Sequence, residues 1–237
     1  MRINSLIEAA DLEREVVVLS PEESHHLARV LRVHSGQEIT LFDGRGEVAE
    51  AVLEMVSKTA VEARVLKRWS IPKPNVNIDL IQAVPKSDRW DLVLQKAVEL
   101  GVTSIRPVLT KHTEFRPSPK KQERWEKIVL NAAQQCEVRW LPKLYSLEKY
   151  DTVISLLDEY DLVLIGSLYE GAKLFREVSI AQKKNIALLI GPEGDFSEEE
   201  VAAAVEAGAV PVSFGDRILR TETAAIFGLS VLAYELL

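Results

Sequence analysis

Apolar and polar positions follow two different patterns along this chain. Up to about residue 70 the apolar residues come in short runs of strand length. Val16-Val17-Val18-Leu19 predicts a strand, and Ser20-Pro21-Glu22-Glu23 predicts a helix start. Serine at the cap, proline at the first helical position and glutamate three residues after the cap make a capping box. Leu27, Val30 and Leu31 are the expected apolar stripe of that helix, and Gly36 follows its end. Strands are expected at 38–42, 47–55 and 60–67, with Asp43-Gly44-Arg45-Gly46 as a hairpin turn. Short strands at this spacing suggest a small barrel.

Ile71-Pro72-Lys73-Pro74-Asn75 interrupts the pattern, because two prolines flanking a lysine continue neither strand nor helix. The expected domains are therefore residues 1–72 and 73–237. Beyond the prolines, apolar runs at 78–84, 105–109, 162–165, 186–190 and 210–214 alternate with helical patterns. Trp90, Val93, Leu94, Ala97 and Val98 form one helical stripe, ended by Gly101. Trp125, Ile128, Val129, Ala132, Ala133 and Cys136 form a second. Ser197 with Glu200 caps a third helix, ended by Gly208, and a last one over 222–236 is apolar on most faces. Strands alternating with helices predict an α/β domain, a parallel sheet covered on both sides.

Composition narrows the classes. With 237 residues, 47% hydrophobic and 27% charged, the chain can bury a real core, and collagen-like, disordered and coiled-coil classes are excluded. One cysteine, Cys136, excludes an internal disulfide framework and a Cys-built zinc site, and fits a reducing compartment. No apolar run reaches the ~18 residues of a spanning helix. Met1 to Leu6 leads straight into Glu8, Asp11 and Glu13, unlike a signal peptide, so a cytoplasmic address is expected. A net charge of −7 restricts nucleic-acid binding to a local basic patch.

Four segments carry candidate chemistry. Ile190-Gly191-Pro192-Glu193-Gly194-Asp195 joins a strand to a helix, where ligands sit in open α/β sheets, and its glycines admit close backbone approach. A plain strand-to-helix turn has the same spacing. Phosphate-loop and dinucleotide fingerprints are missing. Phe214-Gly215-Asp216-Arg217-Ile218-Leu219-Arg220-Thr221-Glu222-Thr223 again joins strand to helix. An ordinary helix start explains Thr221 and Glu222 but leaves Arg217 and Arg220 unused, since cations are unfavourable there. His25, Arg29 and Arg32 lie at i, i+4 and i+7, which reads as a phosphate-binding face or as a solvated one. Adjacent His25 and His26 point apart, a poor metal pair. Residues 106–127 hold seven basic side chains, Arg116 and Arg124 among them, against three glutamates, which suits a nucleic-acid footprint or a surface loop.

The pairing of Leu189-Ile190-Gly191-Pro192-Glu193-Gly194 with Arg217-Ile218-Leu219-Arg220-Thr221-Glu222-Thr223-Ala224 resembles the RsmE family of SPOUT-class methyltransferases. His25-His26-Leu27 with Val30-Leu31-Arg32, Gln95-Lys96-Ala97-Val98-Glu99-Leu100-Gly101-Val102, and Trp125-Glu126-Lys127-Ile128 leading to Ala133-Gln134-Gln135-Cys136 extend the resemblance across the chain. Four positions depart from the pattern: Asp195 stands where glycine is usual, Val138 where an arginine is usual with Arg139 one place later, and Phe214 and Asp216 where leucine and proline are common.

The resemblance implies a PUA-like RNA-binding barrel at residues 1–72. It also implies a SPOUT-like, trefoil-knotted methyltransferase domain at 73–237, a homodimer, and no metal. The implied reaction is S-adenosylmethionine-dependent methylation of N3 of uridine 1498 in 16S rRNA of the small ribosomal subunit. The donor would lie among Ile165-Gly166-Ser167, Ile190 to Gly194, and Phe214, Gly215, Ile218 and Leu219. Because N3 bears a proton, a base or stabilisation of the developing anion is needed; Glu222 suits the first role and Arg220 the second. N3 lies on the Watson–Crick edge, so the target must be unpaired or extruded. RNA contacts are expected from His25, Arg29, Arg32, Lys86, Arg116, Arg124 and Arg139. The rivals are a non-catalytic RNA-binding protein, a methyltransferase of this class acting on another uridine, and a nucleotide-dependent ligase or kinase, which lacks a phosphate-loop lysine.

Overall fold

The computed structural model describes residues 3–57, 59–86, 89–114, 118–169 and 171–236. The chain divides into two compact units, Met1–Lys73 with Ala133–Leu141, and Pro74–Ala132 with Pro142–Leu237.

The first unit contains β1 (Asn4–Leu6), α1 (Ala9–Leu12), β2 (Val16–Val18), α2 (Pro21–His25), β3 (Glu38–Phe42), β4 (Glu47–Val56) and β5 (Val61–Ser70). Its sheet runs β1-β3-β4-β5-β2, antiparallel except for the parallel β1–β3 pair. Alternation along β3, β4 and β5 sends Ile39, Leu41, Ala49, Ala51, Leu53, Val61 and Ala63 inward, where they meet Leu12, Val17 and Leu27. The Asp43 carboxylate accepts from the backbone N–H of Arg45 (2.7 Å) and Glu47 (3.0 Å), which closes the expected turn between β3 and β4.

Residues 133–141 belong to this unit, whereas the sequence pattern assigns them to the second domain. The cause is a set of long-range contacts at the β3–β4 turn. Gly46 N donates to Arg139 O (3.1 Å), Leu141 N to Gly44 O (2.8 Å) and Trp140 Nε1 to Ile71 O (3.0 Å). Gly46 has φ 97°, and a side chain there would meet Ile71 O at 2.5 Å and the Trp140 ring at 2.8 Å.

The helix after Ser20 differs from its expected form in two respects. Ser20 Oγ accepts from Glu23 N (3.2 Å), but the Glu23 carboxylate does not return to the cap; it takes the Ser5 hydroxyl (2.6 Å) and the Gln134 amide (3.3 Å). After His25 the helix widens into a π-helical turn, His26–Leu31, which ends at Arg32 with φ 53°. The wider turn rotates Val30 and Leu31 off the face that Leu27 buries, leaving them 62% and 47% exposed.

The second unit contains β6 (Asn77–Ala83), α3 (Arg89–Glu99), β7 (Ser104–Leu109), α4 (Pro119–Gln135, its last turn in the first unit), β8 (Lys143–Leu144), β9 (Glu148–Lys149), α5 (Tyr150–Ile154), β10 (Leu162–Gly166), β11 (Lys173–Leu174), β12 (Asn185–Ile190), α6 (Glu198–Glu206), β13 (Val210–Ser213) and α7 (Thr221–Leu236). Its sheet is parallel throughout, in the order β11-β13-β10-β12-β6-β7-β8, with β9 also on β7. α3 and α7 pack on each other, α7 also against β6 and β12, while α5 and α6 pack on each other and reach β7 and β13. Ile81, Ala83, Val163, Ile165, Ala187 and Leu189 point toward the α5–α6 layer with Tyr150, Val153, Phe196 and Ala204. Burial on both faces explains why the central strands are almost wholly apolar. Among the described residues no helix is long and apolar enough to cross a membrane.

Candidate active site

β13, β10 and β12 are neighbours in the sheet, so the loops at their carboxyl ends are brought side by side. Together with the start of α3 and of α7 they enclose a cavity of about 280 Å³. Of the residues expected to hold the donor, Gly166, Ser167, Ile190, Gly191, Pro192, Glu193, Phe214, Gly215, Ile218 and Leu219 line it, and so does Arg220. Ile165 does not: it is fully buried in the core behind its loop. Gly194 is also outside, lining instead a polar recess with Lys86, Lys111, His112, Thr113, Glu114 and Glu193. Glu222 is absent from the lining and only 8% exposed.

The cavity is held by backbone–side-chain ties. Gln82 on β6, fully buried, donates to the Thr221 hydroxyl (3.1 Å), which donates onward to the Gly191 carbonyl (2.5 Å). Thr221 is thus a strut between α7 and the 191–195 loop; the first carbonyl of α7 to be used is that of Arg220, which accepts from Ala224 N (2.8 Å). Asp195 occupies a left-handed position, φ 58°, which a carboxylate or amide residue tolerates better than other side chains. Its carboxylate accepts from Phe196 N (2.8 Å) and Leu168 N (3.4 Å), tying two of the loops together. His112 fastens the same turn from outside, its Nδ1 lying 3.1 Å from Gly194 O and 3.0 Å from Asp195 O. Phe214 stacks on Phe175 (centroids 5.8 Å apart) and tilts against Phe227 (5.6 Å), which fixes the apolar wall.

The charged groups sort into engaged and free. Arg89, at the start of α3, places Nη1 3.4 Å from Glu193 Oε1 and Nε 3.8 Å from Glu222 Oε1. Glu222 Oε2 is buried with no hydrogen-bond partner among the described residues. Glu193 also accepts from Lys86 N (3.1 Å), and the Lys86 ammonium pairs with Glu114, which raises its pKa. Arg217 and Arg220 line the cavity, are exposed, and have no ion pair among the described residues. Arg89, Leu168, Asp195, Ser213, Thr221 and Ala224 also line it but were not singled out for it in the sequence; Arg89 lacks any local glycine or strand-end signal.

The expected RNA-contact residues are dispersed. His25, Arg29 and Arg32 are exposed in the first unit. Arg139 is nearly buried there, donating to Asn4 Oδ1 (2.8 Å) and lying over the Phe42 ring. In the second unit Arg124 pairs with Asp91, Arg106 with Glu148 (3.1 Å) and Lys111 with Glu199 (3.2 Å). Much of the 106–127 basic segment is therefore neutralised locally. The Ser197 hydroxyl first, then the backbone N–H at Glu199 and the Lys111 ammonium, hold the Glu199 carboxyl down to about 2. Arg116 lies outside the described residues.

Residues 72–233 match the family of RNA methyltransferase domains, and residues 19–66 match the RNA methyltransferase PUA domain. The chain is 30% identical to the ribosomal RNA small subunit methyltransferase E of Mycobacterium bovis, over 90% of this chain and 84% of that one. For the protein of that name from Synechocystis the identity is 32%, over 90% and 71%. Among solved structures, the ribosomal RNA small subunit methyltransferase E of Neisseria gonorrhoeae, bound to S-adenosyl methionine, superposes with a TM-score of 0.86 at 34% identity, over 98% of this chain and 96% of that one. Two matched domains in order, and relatives of one kind over nine-tenths of its length, place this chain in the RsmE family of ribosomal RNA small subunit methyltransferases.

Proposed function

We propose that this chain transfers a methyl group from S-adenosylmethionine to N3 of uridine 1498 in 16S rRNA of the small ribosomal subunit, acting as a cytoplasmic homodimer. The observation that carries the reading is the convergence of three strand-end loops on one cavity whose lining combines glycines and apolar side chains with Arg89, Arg217, Arg220, Glu193 and Asp195. Glycine backbone and apolar walls suit an adenosine, and charged groups of both signs suit a zwitterionic tail, whereas the Gly-Lys-Ser/Thr of a phosphate loop is missing from the sequence. The fit is specific: a side chain at residue 166 would meet the Phe214 ring at 3.0 Å, and one at residue 191 would meet Asp195 Oδ1 at 3.0 Å. Both glycines keep the cradle open.

Ile190, Gly191, Phe214 and Leu219 would hold the donor, with Gly166 and Ser167 opposite. When bound, it supplies an electrophilic methyl group on sulfonium. The chain's own residues must orient the uracil in line and manage the N3 proton. Arg220, lining the cavity, exposed and unpaired among the described residues, is in this reading the group that stabilises negative charge on the uracil oxygens beside N3. Glu222 is the proton acceptor in this reading, with one oxygen near Arg89 and the other without a partner among the described residues. Ile218 (80% exposed), Leu168, Tyr169, Phe227 and Tyr234 leave apolar surface around the cavity and along α7, as a second copy of the chain would require. The trefoil threading belongs to the same proposal.

Calorimetry on the full chain separates this reading from its rivals. Binding of S-adenosylmethionine without binding of ATP is expected. ATP binding would favour a nucleotide-dependent enzyme, and a folded protein that binds neither would be a non-catalytic RNA binder.

A further inference from the structure

The π-helical turn His26–Leu31 combines features that a solvated helix face does not need. Val30 and Leu31 are adjacent and exposed, at 62% and 47%. His25, Arg29 and Arg32 are exposed around them, and none has an ion-pair partner among the described residues, although the chain carries a net charge of −7. Acidic residues are plentiful in the same unit, yet elsewhere they are drawn into pairs: Glu54 with Arg64, Asp11 with Arg14, Glu23 with Ser5. The turn is also unusual in two respects. It is a π-helix, a rare geometry frequently found at functional sites, and Arg32 closes it with φ 53°, a left-handed conformation that a long side chain adopts at a cost. Beyond Arg32, Val33 is buried again and its N–H donates to Leu27 O (3.1 Å), so the exposed apolar pair is anchored on both sides by buried residues.

We infer that Val30 and Leu31 form an apolar wedge that enters rRNA between two bases, with Arg29 and Arg32 holding the phosphates on either side. The inference rests on the rRNA-methyltransferase reading and adds to it the means by which the first unit grips its substrate. Apolar side chains inserted at a base step partly unstack it, and flanking cations hold the backbone while they do so. Both halves of that device are present within seven consecutive residues. A protein groove would not call for two uncompensated guanidinium groups, Arg29 and Arg32, whereas a polyanion does. The exposed apolar pair accounts for what phosphate contacts alone would leave unexplained.

The two halves predict different signatures in the full-length protein. Val30→Ser with Leu31→Ser should weaken binding to isolated small subunits on the order of tenfold, with the salt slope unchanged, because no phosphate contact is lost. Arg29→Gln with Arg32→Gln should reduce the slope of log K against log salt by about two, close to 0.9 per contact. Chemical probing of the bound RNA should show a base that becomes reactive with wild-type protein and stays protected with the serine pair. Wild-type affinity and wild-type base reactivity in the serine variant, its circular dichroism unchanged, would overturn the wedge. So would loss of binding to phosphatidylglycerol vesicles with RNA binding intact, which would make the turn a membrane contact. Donor binding and methylation by the wild-type chain are read in parallel: if they fail, the underlying reading fails, and if they hold while the serine variant behaves as wild type, only the wedge does.

Discussion

The hydroxyl of Thr221 donates to the carbonyl of Gly191 at 2.5 Å, and so joins the first turn of α7 to the loop after β12. Thr221 is buried, and Gln82 donates to it in turn. Thr221→Val keeps the shape and leaves both Gly191 O and Gln82 Nε2 without their partner, a loss of about 1–3 kcal/mol for buried polar groups. Urea denaturation should show that loss. Calorimetry should show weaker donor binding, and Thr221→Ser should restore both. Wild-type donor affinity in a measurably destabilised Thr221→Val protein would mean that the strut supports the fold but not the cavity.

Arg89 reaches two carboxylates at once, Glu193 on a cavity loop and Glu222 on α7. If it acts by holding Glu222, then Arg89→Gln and Glu222→Gln should each slow methyl transfer, and the double variant should be no slower than the worse single one. A coupling of about 0.5–3 kcal/mol in activation free energy is expected for residues in one network. Single-turnover rates measure it, and strict additivity would separate the two residues.

Burial and the neighbouring Asp79 hold the Tyr160 phenol well above its ordinary pKa, and burial does the same for Tyr150. Tyr160 OH donates to Asp79 Oδ2 at 2.8 Å, a bond only the neutral phenol can make. Because the folded-state pKa is raised, the stabilisation is complete below the unfolded value of about 10 and is lost as pH rises beyond it. Stability measured from pH 8 to 11.5 should therefore fall at the alkaline end. Tyr160→Phe should start lower and fall less steeply; an unchanged alkaline slope would contradict the assignment.

Periodicity carried the second unit well. The five long strands lie within a residue or two of their apolar runs, because strands buried on both faces are dominated by apolar residues. Ser197 and Glu200 form the full capping box that their spacing predicts, with reciprocal bonds of 3.3 and 2.9 Å. Ser20 and Glu23 have the same spacing and form half of one, since Ser5, distant in sequence, competes for the carboxylate. Val30 and Leu31 escaped the helical pattern for a related reason: the pattern assumes 3.6 residues per turn, and a π-helical turn moves each later residue around the axis. The short strands β1, β8, β9 and β11 are two or three residues long and have no period to detect.

At the site, the glycine loops were legible because they follow strong strands. Arg89 was not, since nothing in Lys86 to Trp90 marks a ligand; only the packing of α3 on α7 brings it to Glu222. Arg139 was drawn to Asn4 rather than to solvent by the return of residues 133–141 to the first unit, a contact across more than a hundred residues.

The central claim is that the cavity of the second unit transfers a methyl group to uridine N3 with Arg220 stabilising the charge that develops. The most direct measurement is a single-turnover reaction of the full chain with methyl-labelled S-adenosylmethionine and small subunits that lack the modification, followed by mapping of the labelled base. One label per subunit is expected, on N3 of uridine 1498, and Arg220→Ala should lower the rate on the order of 100-fold with donor affinity unchanged. A folded wild-type chain that binds the donor and leaves that uridine unlabelled, or an Arg220→Ala chain that labels it at the wild-type rate, would contradict the account.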